Sequence, residues 1–123
     1  MTYTLLRNRD GEFVSPTSAS FQAAAANADW AKAPGFYLLL TDQPGKESWP
    51  ITGATFILMH QHQEKPDTAR EVLSFFDWAY HNGGQLAEQL DYVPMPDAVV
   101  TAVEGSWKAI VGPDGKPVWG HAS

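Results

Sequence analysis

The sequence contains no cysteine and no apolar run near the ~20 residues that a membrane-spanning helix needs. The absence of cysteine excludes disulfides, thiolate catalysis and cysteine-ligated metal sites. Positive charge is scarce as well, with 8 lysine and arginine residues against 14 acidic residues and a net charge of −6. No basic patch is present, so we expect no nucleic-acid partner. An acidic surface does not attract anions either, and anion binding would depend on local N–H groups and hydroxyls.

Apolar residues are plentiful: they make up 44% of the 123 residues, and five Trp, four Tyr and six Phe are among them. This composition predicts one small folded domain and argues against disorder. Residues 1–6 lack the charged, apolar and small-residue regions of a signal peptide. We therefore expect a mature fragment or an internally started product, with residues 120–123 as a short tail.

The first third of the chain combines strand, turn and helix patterns. Residues 3–7 and 13–14 predict two short strands joined by a turn at Asp10-Gly11, because glycine tolerates the positive φ of a tight turn. Ser15-Pro16 predicts the start of an alanine-rich helix that runs towards Asn27, since serine is a favoured N-cap and proline suits the first helical position.

The remainder reads as one strand followed by three helices. Residues 51–59 are rich in β-branched and aromatic side chains, and 56–59 are apolar throughout, which predicts a strand buried on both faces. Helices are expected from about residues 66, 85 and 96, where proline or glycine breaks the pattern. A strand followed by amphipathic helices predicts an α/β layer. The first of these helices carries an apolar stripe at Val72, Phe75, Phe76 and Ala79.

Several groups of side chains are candidates for chemistry. His60 and His62 lie on one face of an extended segment and could bind a metal with Glu64, or they are solvated histidines at a strand end. Thr52, Gly53 and Thr55 could donate hydrogen bonds to an anion, although no glycine-rich loop leads into a helix start there. Neither pattern fixes a complete site.

The other candidates have a structural interpretation beside the functional one. The carboxylate pairs Asp91/Asp97 and Glu64/Asp67 lie near expected helix starts, where acidic residues stabilise the helix dipole. Ser106 and His121 lack the motif of an activated nucleophile. A set of aromatic residues could form a ligand-stacking wall or simply pack in the core: Phe75, Phe76, Trp78, Tyr80, Trp107 and Trp119.

Short motifs occur in a definite order along the chain. They are Asn27-Ala28-Asp29-Trp30, Trp49-Pro50-Ile51-Thr52, Phe75-Phe76-Asp77-Trp78-Ala79-Tyr80, Leu90-Asp91-Tyr92 and Asp114-Gly115-Lys116-Pro117. In this order the chain resembles the C-terminal part of the phosphate-binding proteins that serve bacterial phosphate ABC transporters. The resemblance covers residues 2 to 119.

This resemblance implies a partial periplasmic-binding-protein fold of type II, built from two lobes and a hinge. Residues 1–48 would end one lobe, and residues 49–119 would cross the hinge and complete the other, so that each lobe is incomplete. The resemblance also implies a periplasmic protein without catalytic activity or cofactor, whose partners are inorganic phosphate and the inner-membrane permease. The family's phosphate-contacting loops precede the matching region, so no phosphate-binding, catalytic or metal-binding residue is expected here.

Two rival interpretations remain from the sequence. The chain could be an independent interaction module that forms a homo-oligomer by edge pairing or segment exchange, because a sheet that lacks neighbours exposes its edges. It could also be a small metal-dependent enzyme that uses His60 and His62, although no third ligand is set by spacing.

Overall fold

The computed structural model describes residues 2–120. Within this range the chain forms two short strands and four α-helices, which confirms the α/β class in its coarse form. None of these helices combines the length and the apolar character that a bilayer crossing requires. The elements are β1 (Leu6–Arg7), β2 (Phe13–Val14), α1 (Ser18–Asn27), α2 (Pro66–Asn82), α3 (Gly84–Gln89) and α4 (Asp97–Ser106), with 3-10 turns at Trp30–Lys32, Pro34–Phe36 and Trp107–Ala109.

The N-terminal hairpin forms where the sequence predicts it. Strands β1 and β2 pair antiparallel, with Leu6 opposite Val14 and Arg7 opposite Phe13. The turn between them places Gly11 at φ 89°, a conformation that side-chain-bearing residues avoid. The Asp10-Gly11 turn is therefore confirmed, although each strand is only two residues long.

One buried asparagine fixes this hairpin to a distant turn. Asn8 Nδ2 donates to the backbone carbonyls of Gly45, Lys46 and Ser48 at 3.1, 2.8 and 3.3 Å. Its Oδ1 accepts the N–H groups of Asp10 and Glu12 at 3.1 and 3.0 Å. A single side chain thus satisfies polar groups from two segments that lie far apart in the sequence.

Helix α1 begins later than the Ser15-Pro16 prediction. Its N-cap is Thr17, whose side chain accepts the N–H of Ser20 at 3.2 Å, while Ser20 Oγ accepts the N–H of Thr17 at 3.0 Å. This reciprocal capping box satisfies two backbone donors at once, so it defines the helix start better than the upstream serine does. Ala24 and Ala25 then bury the inner face of the helix.

Helix α2 starts at Pro66, as predicted, but its buried face is different. Leu73 is fully buried and Ala69 nearly so, whereas Val72 and Phe75 of the predicted stripe are exposed. The core contacts run along one line of i, i+4 and i+3 neighbours: Ala69, Leu73, Phe76 and Tyr80. The predicted stripe is therefore wrong at Val72 and Phe75, whereas Phe76 and Ala79 are partly buried.

The prediction of a buried strand at residues 51–59 is wrong. Only Ile51 makes a bridge, to Thr41, and residues 53–60 have no regular structure. Leu58 is 91% exposed, and Phe56 and Ile57 are at least half exposed. A strand exists only when a neighbour pairs with it, and within residues 2–120 no backbone group pairs with 53–60.

The core consists of two clusters that share one helix. The first joins α1 and the following turn to α4 through Ala25, Trp30, Leu40 and Val99. In the second cluster, α2 meets the C-terminal segment through four buried residues: Ala69, Leu73, Trp107 and Val118. Val103 of α4 packs against both clusters. Helix α4 therefore contributes to both core clusters.

Candidate functional site

Three ionisable side chains meet where the C-terminal ends of α2 and α4 approach each other. His81 Nδ1 lies 3.8 Å from Asp77 Oδ1 and 3.8 Å from Glu104 Oε1. The ligand atoms of all three residues lie within 4.8 Å of one another. We call this group the Asp77–His81–Glu104 cluster.

Local helix geometry and aromatic packing position the cluster. Asp77 and His81 are four residues apart on α2, so they share one face of that helix. Glu104 comes from α4, three residues before Trp107. The rings of Tyr80 and Trp107 stack with centroids 6.4 Å apart and hold the two helix ends together. The core contact beside the cluster thus fixes its spacing.

The electrostatics of the cluster favour positive charge. The pKa of His81 is raised, chiefly because Nδ1 donates to the backbone carbonyl of Asp77 at 2.8 Å, and further by the carboxylates of Glu104, Asp77 and Asp97. Burial and the nearby Glu104 charge raise the pKa of Tyr80. Glu104 Oε1 is buried without a hydrogen-bond partner in the described residues. The arrangement can hold a proton or a metal cation.

The raised pKa of His81 predicts a pH-dependent contribution to stability. Its folded-state pKa lies above the reference value of 6.5, so the contribution is full below that pH and is lost as pH rises through the folded-state pKa. His81→Gln should therefore lower the urea midpoint more at acidic than at alkaline pH, with EDTA present to exclude metals. The effect is small because the His81 imidazole and the Asp77 carboxylate are both solvent-exposed. His60→Gln is the matched control, and a His81→Gln difference that is independent of pH would contradict this interpretation.

The histidines singled out in the sequence do not form a site among residues 2–120. His60, His62 and Glu64 are all exposed and are not part of a three-ligand group. His62 instead forms a backbone bridge with Val111. The metal-dependent enzyme that relied on them has no support in this geometry.

The other sequence candidates have structural roles. Thr52 is buried and its hydroxyl donates to the carbonyl of Trp49 at 3.0 Å. Asp67 and Asp97 lie in the first turns of α2 and α4, as the dipole argument predicts. Ser106 Oγ donates to Val103 at 2.6 Å, and its suggested companion His121 lies outside the described residues.

An apolar groove of about 570 Å³ lies under the irregular segment 53–57. Gly53 and Thr55 line the groove, and so do the aromatic residues Phe75, Phe76 and Tyr80. Trp107 and Trp119 lie elsewhere, in the second core cluster, and contact each other edge to face with centroids 5.2 Å apart. The six predicted aromatic residues therefore do not form one wall: Tyr80 lines the groove and also stacks on Trp107, and Trp78 is exposed.

Sequence reasoning missed the Asp77–His81–Glu104 cluster. The i, i+4 spacing of Asp77 and His81 is visible in the sequence and is a known pattern for side chains that share a helix face. Glu104 lies 23 residues beyond His81, counting from 81 to 104, and only the packing of α4 on α2 brings it near. The sequence therefore shows the helical spacing of Asp77 and His81 but not the proximity of Glu104.

No protein-family model matches the chain. It is 46% identical over 120 residues to the phosphate-binding protein PstS of Pasteurella multocida, covering 97% of this chain and 35% of that protein. It is 44% identical over 108 residues to PstS of Haemophilus influenzae, covering 88% and 32%. With PstS of Xylella fastidiosa the identity is 42% over 107 residues, covering 87% and 29%. The resemblance to phosphate-binding proteins is confirmed, and the chain spans about a third of the length of these relatives.

Proposed function

We propose that the chain is the C-terminal part of the phosphate-binding component of an ABC-type phosphate importer, located in the periplasm and without catalytic activity. The observation that carries this proposal is the 42–46% identity to phosphate-binding proteins over 87–97% of the chain. Because the match spans about a third of each relative, the remaining two thirds would supply the missing parts of both lobes. The whole protein would bind inorganic phosphate and deliver it to an inner-membrane permease.

The exposed apolar surface supports an incomplete fold. Residues 56–58 are at least half exposed, and so are Phe75 and Trp78 on α2. Of these side chains, Ile57 and Phe75 line the apolar groove of about 570 Å³. Contiguous exposed apolar surface of this kind marks a face that another segment or partner covers. In the proposed whole protein, further strands would pair with residues 53–60 and cover this surface. Residues 1–48 and 49–119 would then belong to different lobes of the type II fold, which would meet at the first core cluster, where α1 packs against α4.

The contacts of Arg7 and Arg70 support the proposal that the chain lacks the phosphate-contacting loops. Tight capture of an oxyanion requires several convergent donors and usually a guanidinium, because the anion must replace its hydration shell. Arg7 Nε donates to the carbonyl of Gly11 at 3.3 Å. Arg70 pairs with Asp67 at 3.1 Å and donates to Val118 at 3.3 Å. Arg7 is engaged within its own hairpin, Arg70 with its own helix and the C-terminal segment, and neither lies beside a Ser/Thr/Gly-rich loop.

Calorimetry with two proteins tests this proposal. The chain alone should give no saturable heat up to about 1 mM phosphate, which corresponds to binding weaker than about −4 kcal/mol. A chimaera in which the chain replaces the matching third of the Pasteurella multocida protein should bind phosphate, because it restores the other two thirds of the fold. The unaltered Pasteurella protein is the positive control.

Two results would contradict the proposal. Stoichiometric phosphate binding by the chain alone at about micromolar affinity would mean that these residues build their own site. A folded chimaera that does not bind phosphate would mean that the chain cannot complete such a receptor. Light scattering on the isolated chain tests the rival interpretation. A homo-oligomer would give a molar mass that is a whole-number multiple of that of one chain.

A further inference from the structure

We propose that Asp77, His81 and Glu104 form a binding site for a divalent transition-metal cation of the Zn²⁺ class. The proposal does not depend on phosphate transport, because the cluster lies outside the apolar groove. The cavity beside the cluster and the groove share no lining residue. Failure of the phosphate experiment would therefore leave this proposal intact.

The spacing of the ligand atoms is close to what a tetrahedral ion requires. With metal–ligand bonds of ~2.0–2.1 Å, the ligand atoms of a tetrahedral zinc lie about 3.4 Å apart. His81 Nδ1 is already 3.8 Å from each of the two carboxylates. The whole group spans no more than 4.8 Å. Bonding would require Nδ1 to release its proton and to turn away from the Asp77 carbonyl at 2.8 Å, and the two carboxylates to approach by side-chain rotation.

The buried carboxylate oxygen indicates a cation. Glu104 Oε1 is inaccessible to solvent and lacks a hydrogen-bond partner in the described residues. A buried carboxylate oxygen in that position costs free energy unless a positive group satisfies it. His81 Nδ1, at 3.8 Å, is too distant for a hydrogen bond. A metal ion held between the two side chains would provide the missing partner.

The donor set favours zinc over the harder cations. One imidazole nitrogen and two carboxylate oxygens make three protein ligands, which leave a fourth tetrahedral position for water. Calcium takes six or more oxygens and magnesium retains several waters, so neither matches this set. Lys108 also lines the cavity, but the two carboxylates exceed its single positive charge. The ligands are supplied by two packed helices, which makes the site more rigid than one on loops.

Zinc titration of the full, untagged chain tests the proposal. After EDTA treatment and removal of the chelator, calorimetry with ZnCl₂ should give one equivalent of Zn²⁺ per chain. His81→Ala should weaken binding by at least about tenfold, since it removes one of three ligands. Glu104→Gln, which keeps the shape of the side chain, should weaken binding by a similar factor. Co²⁺ should also quench tryptophan emission, because Trp119 lines the same cavity.

The double variant His60→Ala/His62→Ala is the matched control. It removes two exposed histidines outside the cluster and should keep zinc affinity within about twofold. Circular dichroism checks that every variant is folded, and if His81→Ala unfolds, the Glu104→Gln result decides. The proposal is overturned if the chain gives no saturable zinc binding below about 1 mM. It is also overturned if the double variant loses zinc while the cluster variants keep it.

Discussion

Leu73→Ala is expected to lower the free energy of unfolding by about 3–5 kcal/mol, the upper part of the range for leucine truncations in cores. Leu73 is fully buried, and it packs with Ala69, Trp107 and Val118 in the second core cluster. The loss combines the transfer free energy of the side chain with the cavity that it leaves between α2 and the C-terminal segment. Urea unfolding followed by tryptophan emission measures it.

Leu86→Ala is the matched control for this truncation. Leu86 lies on α3 and is 54% exposed, so removing its side chain should change stability by less than about 0.5 kcal/mol. If the two variants lost the same stability, or if Leu73→Ala lost less than about 1 kcal/mol, the second cluster would not be the core of this chain.

Asn8→Asp is expected to destabilise the chain by about 2–4 kcal/mol, although the two side chains have the same shape. The amide nitrogen donates to the carbonyls of Gly45, Lys46 and Ser48. A carboxylate has no proton to donate, so these acceptors would lose their partner and face a negative charge in a buried position. The change should also loosen the hairpin from the turn at residues 44–48.

Asn82→Asp controls for the chemistry of this substitution. Asn82 Nδ2 donates to the carbonyl of Trp78 at 3.0 Å, but the side chain is exposed at the end of α2. The cost should stay below about 1 kcal/mol, most of it from a negative charge at a helix C-terminus. Equal losses at Asn8 and Asn82, measured by urea unfolding, would show that the buried hydrogen bonds do not hold the hairpin in place.

The boundaries of α2 could be predicted from the sequence, but its buried face could not. Pro66 is preorganised for the first helical position. Gly83 follows the last helical residue at φ −87°, where a Cβ would lie 2.6 Å from the carbonyl oxygen of Ala79, so both ends have a local cause. The helix carries large apolar residues on most of its circumference, which include Val72, Leu73 and Phe75. Two different lines of i, i+3 and i+4 neighbours therefore fit the pattern equally well, and only the position of Trp107 and Val118 chooses between them.

The predicted strand at 51–59 failed for a different reason. Two-sided apolarity is typical of a strand that is covered on both faces. Whether that cover exists depends on the rest of the chain, and residues 2–120 supply no strand that pairs with 53–60. The apolar pattern indicates that the segment favours burial, but a strand forms only where another segment pairs with it.

The candidate site shows the same limit at the level of side chains. Asp77 and His81 are related by helical spacing, which is a local property. The position of Glu104 depends on the Tyr80–Trp107 stack between two helices, a contact that no local pattern specifies. His60 and His62 are close in sequence but belong to no three-ligand group among residues 2–120.

The contact of Val103 with both core clusters has a consequence for how the chain opens. Neither cluster can lose its packing without removing neighbours from α4, which both clusters share. Slowly exchanging amides in α1 and in α2 should therefore report one common opening free energy in native-state hydrogen exchange, as expected of a single cooperative unit. The amides of residues 53–60, which lack backbone partners in the described chain, should exchange at rates close to those of an unfolded peptide.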